Sequence, residues 1–159
     1  MSQQSYGPDR YVAPGHGLEA ALGKTVAWLA RRGVSLLGSR ELAVRGRKTG
    51  RLQTIPVNLL HDGGRRYLVA IRGNTQWVRN VRAAGGAAQL RLGRRAESVR
   101  LVEIPVADRV PVLRLYLKRW WWEVSQFVPG VTRDSSDADL LAAADGIPAF
   151  EVLAADAAQ

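Results

Sequence analysis

Asp62-Gly63-Gly64-Arg65 stands between two β-favouring runs, Thr54–His61 and Arg66-Tyr67-Leu68-Val69-Ala70-Ile71-Arg72. Successive glycines supply the positive φ of a tight hairpin, so the two runs are expected to pair antiparallel. Gly93-Arg94-Arg95 makes a second hairpin between Gln89–Leu92 and Ala96–Ile104. A third turn, Val44–Arg51, follows Leu36-Leu37 and Glu41-Leu42-Ala43-Val44 and leads back into Thr54–His61. Ala149–Leu153, after Pro148, reads as a closing strand. An antiparallel sheet must hide its edges, which favours closing it into a small barrel.

Helical spacing appears in three places. Leu18, Ala21, Leu22, Val26, Leu29 and Ala30 share one face of an amphipathic helix over Leu18–Arg32, which Gly33 ends. Trp77, Val81 and Ala84 mark a short helix capped by Asn74 or Thr75. Ala107–Trp122 places Val110, Leu113, Leu117 and Trp121 on one face, with Asp108 and Pro111 in its first turn. The run Trp120-Trp121-Trp122 cannot all face inward, so at least one ring is expected to be exposed or to line a cavity. Ser135–Asp139 reads as polar loop and Leu140–Ala144 as one helical turn. Residues 1–17 read as a loose arm and 18–159 as a single domain. The class is α+β, with mainly antiparallel strands and flanking helices.

The turn itself carries the chemistry. Arg45-Gly46-Arg47-Lys48-Thr49-Gly50-Arg51 brings together four cations, two glycines and a hydroxyl. Glycines let main-chain N–H groups point outward and Arg and Lys add charged donors, so such a turn suits a phosphate or carboxylate. The plainer reading is a hairpin with solvated charges. A Walker loop is excluded, because no second glycine precedes Lys48 at the required distance.

The net charge of +9 admits three explanations: nucleic acid, an acidic small ligand, or an arginine bias without function. Nucleic acid ranks last, since no helix carries a basic stripe and no known binding motif is present. There is no cysteine, so thiolate metal sites, disulfides and a thiol nucleophile are excluded. His16 and His61 stand alone, and no metal site is expected. No apolar run approaches the ~20 residues that span a bilayer, and the N-terminus lacks the pattern of a signal peptide. A cytoplasmic protein is expected, with peripheral membrane contact through the N-terminal helix and its Trp28 left open. The oligomeric state is not legible.

Three motifs in register carry a resemblance: Gly46-Arg47-Lys48-Thr49-Gly50, then Pro56-Val57-Asn58 with the hairpin Asp62-Gly63-Gly64, then Trp77-Val78-Arg79-Asn80-Val81. Over about Leu42 to Leu92 the chain resembles the deazaflavin-dependent nitroreductase family of actinobacteria, split-barrel enzymes that use reduced coenzyme F420. The resemblance implies an FMN-binding split-barrel-like fold and an oxidoreductase. Its anion nest would be Arg47, Lys48, Thr49, Gly50 and Arg51, with Gln53 beside it, holding the coenzyme's phosphodiester and acidic tail. Pro56, Val57 and Asn58 would run along the deazaflavin ring. Arg72 and Gly73 would approach from the next strand, and Trp77 and Asn80 would close the pocket. The acceptor would be a flat, electron-poor small molecule such as a quinone, nitroarene or activated enone. Relatives carry a Tyr-rich C-terminal helix around the substrate, and here Tyr116 and Trp120–Trp122 stand in that place. No side-chain acid or base is required, though Tyr116 and Asn58 are candidate donors. Two alternatives are an FMN-dependent reductase of the same fold and a non-redox module that binds a hydrophobic small molecule.

Overall fold

A computed structural model of the protein describes residues 6–13 and 39–155. The expected helix over Leu18–Arg32 and the Leu36-Leu37 run lie outside the described residues. The remainder divides into two compact units. One comprises 6–13, Val69–Thr75 and Glu103–Phe150; the other comprises 39–68, Gln76–Val102 and 151–155.

Seven strands form one sheet: β1 (Ser39–Arg45), β2 (Leu52–Asn58), β3 (Leu60–Asp62), β4 (Arg65–Val69), β5 (Ala87–Leu92), β6 (Arg95–Glu103) and β7 (Ala149–Ala154). Their order is β2-β1-β5-β6-β7-β4-β3. The pairs β1–β2, β1–β5, β3–β4 and β5–β6 are antiparallel. The hairpin glycines adopt the conformation that the turn requires, with φ of 55° at Gly63 and 80° at Gly64.

One expectation is corrected here. Thr54–His61 is not a single strand: it breaks at Leu59 into β2, which pairs with β1, and β3, which pairs with β4. These two strands occupy opposite ends of the sheet order, yet only Leu59 separates them in the chain. A sheet whose first and last strands are one residue apart has to curl until those edges approach. The fold class is thus α+β with a split β-barrel, as the need to hide the sheet edges and the family resemblance led one to expect.

In the second unit, helix α1 (Gln76–Ala83) packs on β1. It buries Val78 and Val81, while β1 buries Leu42, Ala43 and Val44 in succession. On β6 the burial alternates, with Val99 and Leu101 inside and their neighbours exposed or partly exposed.

In the first unit, helix α2 (Val110–Val124) packs against α3 (Asp137–Ala144). The inward stripe of α2 is Leu113, Leu117, Trp120 and Val124, with Val112 and Tyr116 beside it. Trp120 therefore replaces the expected Trp121 in the core. Three consecutive tryptophans mark no polar side, so periodicity alone could not choose among them. The backbone also departs from helical geometry at Trp120 (φ −126°, ψ 24°), and Trp122 is the exposed ring, at 68%. Helix α3 begins within the expected polar loop: Ser136 is its N-cap, accepting a 3.1 Å hydrogen bond from the Asp139 N–H. Residues 6–13 are held in this unit by Arg10, whose guanidinium donates to the carbonyls of Ile71, Gly146 and Phe127. Among the described residues no helix is long and apolar enough to cross a membrane, and no cluster of His, Cys, Asp and Glu could hold a metal ion.

Candidate functional site

The register Arg45↔Leu52 leaves residues 46–51 as the loop between β1 and β2. Its ends are tied by the Gly46 N–H to the Arg51 carbonyl at 2.7 Å and the Gly50 N–H to the Gly46 carbonyl at 2.9 Å. The Arg51 N–H donates to the Thr49 hydroxyl at 3.2 Å, and Arg45 Nη1 donates to the Gly50 carbonyl at 2.6 Å. Gly50 turns the chain with a φ of 71°. At Gly46 the reason for glycine is space, because a β-carbon would meet Gln53 Nε2 at 3.0 Å and the Thr49 hydroxyl at 3.1 Å.

The loop is fixed from the side by α1, on which Gln76 and Asn80 stand four residues apart and so share a face. Asn80 is 2% exposed. Its Oδ1 accepts from the Arg47 N–H at 3.1 Å and from Arg47 Nη1 at 2.8 Å, and its Nδ2 donates to Gln53 Oε1 at 3.1 Å. Gln76 Oε1 accepts from the same Nη1 at 2.9 Å. Gly46 to Thr49 together with Gln53, Gln76 and Asn80 line an open cavity of about 190 Å³. None of these residues is acidic. Lys48 and the Arg51 side chain make no hydrogen bond or ion pair among the described residues. A cavity this size falls below the ~300–1,000 Å³ of sites that engulf a whole cofactor, so it suits one anionic group of a larger ligand.

Of the residues expected at a site, the structure gathers Arg47, Lys48, Thr49, Gln53 and Asn80 around this cavity, with Gly50 and Arg51 in the same loop. Asn80 is spent on the loop itself. Pro56, Val57 and Asn58 lie further along β2, opposite Glu41, Arg40 and Ser39, roughly 10–17 Å from Gln53 at strand rise. Pro56 is exposed, and Val57, Asn58 and Trp77 are half-buried. Arg72 and Gly73 belong to the other unit and lie beyond β4, not on a strand as expected. There Arg72 Nε donates to the Val12 carbonyl at 2.8 Å, and Gly73 bridges Tyr11. Tyr116 is also in that unit, 4% exposed, with its ring 4.9 Å from that of Trp120. Sequence reasoning named Gly46 in the basic turn but left it out of the expected nest, and it missed Gln76. The signal for Gln76 was its spacing of four from Asn80.

The sequence profile of the family described as F420H(2)-dependent quinone reductase matches residues 23–137, most of the chain and all of this cavity. The chain belongs to that family. It is accordingly an F420-dependent oxidoreductase. No curated protein matches it in sequence. Among solved structures, a protein described as a domain-swapped dimer is 16% identical, with a TM-score of 0.50 over 84% of this chain and 94% of the other. Atu2129 from Agrobacterium tumefaciens, of unknown function, is 13% identical, with a TM-score of 0.53 over 92% of this chain and 58% of the other. Both likenesses concern the fold alone. An F420-H2-dependent reductase is 18% identical over 72% of this chain and 93% of its own, with a TM-score of 0.44. The donor set fits what an F420H(2)-dependent quinone reductase must hold. Cations, a hydroxyl and side-chain amides, with no carboxylate in the lining, suit an acidic coenzyme.

Proposed function

We propose that this quinone reductase family member binds reduced F420 through the 46–51 loop and passes hydride to a flat, electron-poor acceptor, with a quinone as the first choice. The carrying observation is the acid-free lining of the cavity at the basic loop, with the Lys48 and Arg51 side chains unpartnered among the described residues. Lys48, Thr49 and Arg51 would hold the phosphodiester and acidic tail, since charged hydrogen bonds to an anion are each worth roughly 1.5–3 kcal/mol. The bound coenzyme supplies the hydride equivalent; the chain supplies position and surroundings. Trp77, half-buried on the helix that carries Gln76 and Asn80, offers an aromatic surface for a planar ring. Of the two candidate donors, Asn58 is the more accessible, because Tyr116 is 4% exposed.

Fluorescence titration with F420, with FMN in parallel, tests this reading. Lys48→Ala combined with Arg51→Ala should weaken F420 binding at least tenfold, and by less as salt rises. An unchanged dissociation constant in the double variant would remove the loop from the site.

A further inference from the structure

Among the described residues Arg47 is held without being neutralised. Four other arginines face carboxylates: Arg66 meets Glu97, Arg91 meets Glu41, Arg109 meets Glu103 and Arg114 meets Asp137, while Arg10, Arg45 and Arg72 are held by main-chain carbonyls. Arg47 is instead gripped by two amide oxygens, Gln76 Oε1 at 2.9 Å and Asn80 Oδ1 at 2.8 Å, both on the same Nη1. An amide oxygen orients a guanidinium much as a carboxylate does, but leaves its full charge in place. The choice of amide is the more telling because Gln76 opens α1. The positive end of a helix favours an acidic residue in the first turn, and this helix has none. A glutamate at position 76 would satisfy the helix and grip Arg47 more strongly, yet it would cancel the charge that faces the cavity.

We infer that Gln76 is a positioning residue that sets the affinity of the loop for its anion through Arg47, which it aims while leaving the guanidinium charge uncancelled. Nη2 and Nε of Arg47 make no hydrogen bond among the described residues and can face a ligand. This rests on the reading of the 46–51 loop as an anion site. Gln76 is also the better probe of the pair, because it is exposed and a glutamate is isosteric with it. Asn80 is buried and also donates to Gln53, so an aspartate there would lose a second contact.

The experiment compares Gln76→Glu, Gln76→Ala and the Lys48→Ala, Arg51→Ala pair by melting temperature and by F420 titration over a salt series. Gln76→Glu should melt at or above the wild-type temperature, weaken binding roughly tenfold, and flatten the dependence of affinity on salt. Gln76→Ala should lose roughly two- to threefold in affinity with its salt dependence unchanged, since the charge survives but its aim does not. Equal losses in the two Gln76 variants with unchanged salt slopes would make the residue merely structural and overturn the inference. Wild-type affinity in Gln76→Glu, with binding lost in the Lys48, Arg51 pair, would overturn the inference alone. Wild-type affinity in all three would overturn the assignment of the loop as well.

Discussion

A β-carbon placed on Gly73 would lie 2.0 Å from the main-chain oxygen of Arg10, a distance no side chain can adopt. The same oxygen accepts the Asn74 N–H at 2.7 Å, and the Val12 N–H reaches the Arg72 carbonyl at 2.8 Å. Segment 10–12 thus lies flat on 72–74, and glycine is what lets the two backbones meet. With φ at 94° besides, Gly73→Ala should destabilise the protein by about 2 kcal/mol or more, read from the urea midpoint. An unchanged midpoint would show that segment 10–12 is free to move aside.

The tryptophan run offers an internal control for burial. Trp120 is 1% exposed and Trp122 is 68% exposed. Trp120→Ala should cost about 3–5 kcal/mol through lost contacts and a cavity, whereas Trp122→Ala should stay within about 0.5 kcal/mol. Thermal melts of the two variants check this, and similar losses in both would mean that the inward stripe of α2 is misassigned.

Arg66 grips Glu97 with two hydrogen bonds of 2.7 and 2.8 Å. The hydrogen bond from Arg66 holds the Glu97 carboxyl below its ordinary value of 4.5. A depressed carboxyl stabilises the fold above its unfolded pKa, and that stability is lost as pH falls through the lower, folded value. Because Glu97 is about half exposed, the contribution is limited to about 0.5–1 kcal/mol. Glu97→Gln should therefore be less stable than the wild type near neutrality and converge with it in acid. Urea midpoints compared across that range provide the measurement, and a gap that persists in acid would assign the loss to packing.

Local chemistry made much of this fold legible. Turn glycines, paired at Gly63-Gly64 and single at Gly93, announced the hairpins, and the crowding of cations between β1 and β2 announced the cavity. The break at Leu59 left no such mark: β2 and β3 read as one β-favouring run because the change of partner is a property of the whole sheet. Trp120 and Trp121 fit a helical stripe equally well until packing decides. Arg10 gave no signal either, since its partners are three carbonyls from segments distant in sequence. Gln76 was overlooked because an uncharged side chain beside a basic loop looks incidental, although its neutrality is the property that matters there.

The place of β7 in the sheet order bears on how the protein comes into being. It runs between β6 and β4, so the last of the seven strands to be synthesised fills an interior position. Until residues 149–154 have emerged, β6 and β4 each present a row of unpaired main-chain groups, and only the β2-β1-β5-β6 and β4-β3 portions can pair. Such long-range closure is slow compared with hairpin formation, and the waiting edges are those at which a nascent chain pairs wrongly or with a neighbour. The loop that gathers the cations lies wholly within the first portion, so its backbone can take shape before the sheet is complete.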